Sequence, residues 1–214
     1  MSTRRESHVG AYIQYKAATG RLYFPSAIML LASVSFLVQT WAVRVRLGGD
    51  FLQVIDPLIL WGLFRVIEPF LLWGYFAASI YVGSRLLGGA PLLGHVIRVV
   101  AWGFPPFIFA GLVWGVGQYY ALGDATLEGP DLMGMEHDWA QLNDFLAQGY
   151  GEPIMIGATA LGSLLVVCSG YLWAVGGTRA CDLELRRMLV VVAVPLLAYV
   201  CWRFGAIFGV FPGP

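Results

Sequence analysis

The amino-acid sequence predicts an all-α bundle of five transmembrane helices, and three observations carry that expectation. The first is composition: 58% of the 214 residues are hydrophobic and 12% charged, against roughly 45–50% and about 25% in ordinary soluble domains. Thirteen Lys and Arg with thirteen Asp and Glu are too few to cover a soluble chain of this size without leaving large apolar patches. Mean hydropathy is +0.72. The second is length: five apolar stretches reach the roughly 20 residues that cross a hydrocarbon core of about 30 Å as a helix. The third is continuity, because these runs lack the alternation of transmembrane barrel strands.

The elements follow in order. Residues 1–22 read as a cytoplasmic tail. Thr3-Arg4-Arg5 has a twin-arginine look, but the apolar run starts only at Tyr23 and no small-residue cleavage site follows before Arg44, so the first span is expected to stay uncleaved. Tyr12, Ile13, Tyr15 and Tyr23 suit an interfacial helix whose Lys16 and Arg21 reach the headgroups. The membrane domain then covers residues 23–211, with spans at about 23–43, 57–82, 96–122, 153–176 and 188–211. The outer loop, residues 123–152, holds Asp124, Glu128, Asp131, Glu136, Asp138, Asp144 and Glu152 and no Lys or Arg. Within it Trp139, Leu142, Phe145 and Leu146 recur at helical spacing, which predicts a short amphipathic helix on the leaflet or capping the bundle.

Orientation follows from the placement of positive charge, which is retained on the cytoplasmic side. Arg4, Arg5, Lys16, Arg21, Arg85, Arg98, Arg179, Arg186 and Arg187 share one face, and only Arg44 and Arg46 lie on the other. The N-terminus is therefore expected in the cytoplasm and the C-terminus outside, in the cell membrane.

No enzyme chemistry is indicated. Three cysteines and three scattered histidines, His8, His95 and His137, show no zinc spacing. No phosphate loop, nucleophile elbow or dinucleotide fingerprint is present. No catalytic residue, metal or cofactor is expected. The zero net charge gives no footprint for nucleic acid.

Ionisable groups inside spans remain, and these are costly in lipid unless paired or hydrated. Arg65 and Glu68, at i and i+3, share a helical face. Pro69 removes the amide that would bond the Arg65 carbonyl, so a kink is expected beside the pair. At 1.5 Å per residue, Arg65 and Arg203 both lie about 12 Å below the outer boundary and Glu68 about 16 Å. An Arg65–Glu68–Arg203 cluster joining spans two and five is the first candidate site. Gly103-Phe104-Pro105-Pro106 removes two consecutive amide donors in span three, and Pro195 removes one in span five. The carbonyls so freed need shielding within the bilayer. Gly111 with Gly115, and Gly205 with Gly209, are GxxxG pairs that allow close helix approach.

The stretch Arg98-Val99-Val100-Ala101-Trp102-Gly103-Phe104-Pro105-Pro106 opens the third span, and Trp173-Ala174-Val175-Gly176-Gly177-Thr178-Arg179-Ala180 closes the fourth. Asp182-Leu183-Glu184-Leu185-Arg186-Arg187 and Pro195 follow. Over about residues 20–210 this pattern resembles the Yip1 domain family, and in particular a prokaryotic member. The resemblance implies a compact five-helix membrane domain with a cytosolic N-terminus. Eukaryotic relatives are associated with vesicle trafficking and small GTPases, whereas prokaryotic relatives mostly lack an assigned activity. The sequence departs from the eukaryotic pattern in lacking a long cytosolic N-terminal region and in its long acidic outer loop.

Two function classes fit. One is a non-enzymatic membrane-organising component that binds lipids, a membrane-protein partner or further copies of itself, with the basic face turned to anionic headgroups. The other is a small transporter or channel subunit with a polar path at Arg65, Glu68 and Arg203.

Overall fold

A computed structural model describes residues 12, 15, 23–48, 54–127 and 135–207. Its regular elements are helices throughout: α1 (Tyr23–Leu47), α2 (Ile55–Leu86), α3 (Leu93–Trp102), α4 (Pro105–Ala121), α5 (Met135–Tyr150), α6 (Pro153–Cys181) and α7 (Leu185–Ile207). Of the N-terminal tail, Tyr12 and Tyr15 are helical and exposed, and the Tyr12 ring meets Trp102 edge-on at 6.0 Å. The rest of the tail lies outside the described residues, as does Gly209.

Three helices are each long and apolar enough to cross a membrane: α1, α6 and α7 as far as Gly205. The pair α3 and α4, bent by 46° at its break, qualifies as a fourth. Helix α2, where Arg65, Glu68 and Pro69 interrupt the apolar run, is not among them. By length and apolarity, three to four candidate spans stand among the described residues, and the expected fifth is not confirmed.

Helices α1–α4, α4–α6, α6–α7, α7–α2 and α2–α1 pack in turn, which closes a ring, and α3 packs against α2, α6 and α1. Glycines bring α4 close to its neighbours. A Cβ on Gly111 would fall 2.5 Å from the Phe36 ring of α1, and one on Gly115 would fall 2.7 Å from Val38. On the opposite side Trp114 of α4 fills the space beside Gly162 of α6. The Gly111/Gly115 pair thus forms the α1–α4 contact inside one chain, and Gly205 is buried in α7. Gly111→Ala is expected to cost about 1–3 kcal/mol through overpacking. Gly74→Ala, where a Cβ meets nothing within 4 Å, should be neutral or slightly stabilising; denaturant unfolding in mixed micelles compares the two.

Inside the ring lies an aromatic core. Phe76 of α2 packs on Trp173 of α6 at 4.6 Å, and Phe104 stacks on Phe107 at 4.4 Å at the start of α4. Tyr199 of α7 meets Phe76 and Phe107 at 6.0 and 5.7 Å. Because a bilayer is as apolar as this core, such cohesion comes from close packing and hydrogen bonds more than from leaving water.

A second, smaller core sits at one end. Leu142, Phe145 and Leu146 of α5 are buried there against Val43 and Leu47 of α1 and Leu58 and Trp61 of α2. The amphipathic helix of the acidic loop therefore caps the bundle. Gln148 fastens its connection by accepting from the Thr126 amide at 3.1 Å and donating to the Thr126 carbonyl at 2.8 Å.

Candidate functional site

The break between α3 and α4 is built from residues that cannot continue a helix. Pro105 and Pro106 have no N–H to return to Ala101 and Trp102, and they start α4 in the position proline favours. The Phe104 amide turns to the Ala101 carbonyl at 3.1 Å, which leaves the Val100 carbonyl open. Trp173 Nε1 of α6 donates to that carbonyl at 2.7 Å and is fully buried. Gly103 makes this possible, since a Cβ there would fall on the Trp173 indole. The bend is thus held by a hydrogen bond from another helix. Trp73 of α2 adds a second, donating from Nε1 to the Ile97 carbonyl of α3 at 2.8 Å.

Neighbouring helices also bond backbone carbonyls at or next to the other two prolines. Beside Pro69, Ser33 Oγ of α1 donates to the Val66 carbonyl at 2.6 Å. At Pro195, the Tyr75 hydroxyl of α2 donates to that residue's carbonyl at 3.4 Å.

Next to Pro69, through which α2 runs as one continuous helix, lies the ionic site. Arg65 Nη1 and Glu68 Oε2 are 2.5 Å apart, with side chains only 2% and 4% exposed. The Arg65 guanidinium also lies 4.8 Å from the Trp61 ring centroid one turn earlier. Arg203 enters from α7, buried, but its guanidinium stands 4.1 Å over Trp114 of α4. Arg65–Glu68 is the ion pair found among the described residues, so Arg203 balances its burial with an indole face instead. Such a contact is worth about 2 kcal/mol when desolvated. Two guanidinium groups and one carboxyl group are therefore enclosed.

Tyrosines surround these charges. Tyr199, one turn before Arg203, feels the fields of Arg203, Glu68 and Arg65. Tyr150, the last residue of α5, feels Arg65 and Arg203, so the α5 cap lies near the ionic site. Burial pushes the Tyr150 hydroxyl above its ordinary value of 10.0, and the two arginines pull it back in part. Buried polar atoms here without a hydrogen-bond partner among the described residues include Glu68 Oε1, Arg203 Nη1, Trp114 Nε1 and the Tyr199 hydroxyl.

At the opposite end, Arg85, Arg179, Arg186 and Arg187 are exposed and Arg98 is half-buried. They gather because the Ala90 amide after α2 bonds the Cys181 carbonyl at the end of α6, at 3.0 Å. Gly88, at φ +83°, makes the turn that allows it.

Sequence reasoning brought Arg65 and Glu68 together from their spacing. It did not single out Trp114, Trp173, Tyr199 or Tyr150. Both tryptophans stand inside quoted motifs, Gly111–Gly115 and the stretch from Trp173, so their position beside small residues was the available signal.

The helices and their buried ionic site define a polytopic helical membrane protein. The sequence matches the Yip1 domain over residues 9–205, and the chain belongs to the Yip1 domain family. The two stretches that carry the family pattern meet in space, at the Trp173–Val100 hydrogen bond. No curated protein and no solved structure matches the sequence.

Proposed function

We propose that this protein is a non-enzymatic, membrane-organising component of the cell membrane that acts by binding lipids or membrane-protein partners. In this reading α2 is a fifth span: its 32 residues extend about 48 Å at 1.5 Å per residue. The N-terminus is cytoplasmic and the C-terminus outside, in keeping with the arginine-rich end of the bundle. The observation that carries the reading is that end itself, where Arg85, Arg186 and Arg187 stand exposed beside the apolar α2–α7 groove. Positive charge next to a lipid-facing groove suits anionic headgroups, at about 1 kcal/mol per arginine near the surface.

A transporter or channel subunit is the second reading, favoured by the excess positive charge and unsatisfied atoms around Arg65, Glu68 and Arg203. Solute and anion flux into proteoliposomes decides between them. The first reading expects flux no higher than in empty liposomes. Flux that is present in the wild type and abolished by Glu68→Gln would establish the second.

A further inference from the structure

The groove between α2 and α7, about 600 Å³ in volume, runs along one face of each helix. Its walls include Ala78, Val82 and Leu86 of α2 and Val190, Val194 and Ala198 of α7, all exposed on the lipid-facing surface. From Tyr75 to Leu86 it extends about 17 Å at 1.5 Å per residue, close to half of a hydrocarbon core of about 30 Å. Tyr75 stops the deep end, where its hydroxyl reaches across to the Pro195 carbonyl.

The shallow end meets an arginine. Val190, Val191, Val194 and Ala198 recur on one face of α7, and Arg187 stands one turn earlier on the same stripe. Its Nη1 donates to the carbonyl of Leu87, itself a groove residue, at 3.3 Å. Arg85 flanks the mouth from α2, its guanidinium 4.9 Å from the Tyr81 ring centroid. Both arginines are exposed. The connection before α7 also carries Asp182 and Glu184, so the phosphate is assigned to Arg187 and Arg85 and not to the amides of the first turn of α7.

We propose that this groove holds one acyl chain of an anionic glycerophospholipid, with the phosphate on Arg187 and Arg85 supplying a second positive charge. The groove is one leaflet deep, and its only charged end lies where a headgroup would sit. The proposal rests on the lipid-binding reading above and names the lipid class and its place.

The test is native mass spectrometry of the intact protein in mild detergent, after incubation with phosphatidylglycerol or phosphatidylcholine of matched chains. The wild type should retain one phosphatidylglycerol in clear preference. Arg187→Gln should lower that retention about fivefold, as expected for one arginine near a charged surface, and leave phosphatidylcholine unchanged. Ala198→Phe, which fills the groove from α7, should lose both lipids. Ala78→Phe fills it from α2 and serves if the first variant fails to fold, with unfolding temperature reporting on each. Retention undiminished in the folded groove-filled variants overturns the site, as does an unchanged preference in Arg187→Gln. A bound mass equal to a second copy of the chain overturns it in favour of a dimer interface. Flux in proteoliposomes is independent of the groove: flux with lipid in place retires the non-transport reading alone, and an empty groove without flux retires the lipid site alone.

Discussion

Glu68→Ala is expected to destabilise the protein by about 3–5 kcal/mol, the cost of removing one partner from a buried ion pair. The size follows from what remains: Arg65 and Arg203, both buried, with no carboxylate between them among the described residues. Arg65→Met should cost less, because the buried Arg203 still shares the site around Tyr199 with Glu68. Combining Arg65→Met with Glu68→Ala should recover a large part of the single Glu68→Ala loss, since no pair is left half-broken. Denaturant unfolding in mixed micelles, run as a double-mutant cycle, measures all three. A Glu68→Ala protein within about 0.5 kcal/mol of wild type, the range of ordinary surface changes, would mean the pair carries no structural weight.

Trp173→Ala should cost about 3 kcal/mol, the lower end of the range for large aromatic truncations. The lower end is expected because lipid and core are similarly apolar, so the loss is of packing and not of burial from water. That packing is extensive, against Phe76, Phe104 and Phe107. Trp173→Phe separates the hydrogen bond from the ring. It keeps most of the aromatic contact but leaves the Val100 carbonyl unbonded inside the bundle, for about 1–3 kcal/mol. If Trp173→Phe unfolded like wild type, the bend between α3 and α4 would be holding itself without help from α6. Spin labels on α3 and α4 would then show the 46° angle unchanged in both variants.

The two predictions draw on different amounts of sequence information. Arg65 and Glu68 were legible as a pair because three residues along a helix fix their proximity whatever else the chain does. The break at Pro105 and Pro106 was legible for the same local reason, a missing amide. Arg203 was expected to cluster with Arg65 and Glu68; it is buried near them around Tyr199, but its guanidinium is not paired with Glu68. Its guanidinium lies on Trp114 because α4 occupies the place between α1 and α6, and no count along α7 reveals which helix stands opposite. The Leu142, Phe145 and Leu146 face of α5 was visible as amphipathic, yet a leaflet and a second protein core present the same apolar surface to it.

By itself the sequence determined the helical class, the lipid solvent, the position of the α3–α4 break, the Arg65–Glu68 pair and the family. Each depends on local composition, spacing or missing donors, which act within a turn or two of helix. The tertiary structure alone decided the ring order of the helices, the tryptophan that satisfies the break, the indole under Arg203 and the groove that ends on Arg187. These depend on which helices lie side by side, and in a membrane hydrophobicity does not choose among neighbours because lipid and protein interior are equally apolar. Small residues and a few hydrogen bonds do, and their partners exist only once the chain has folded.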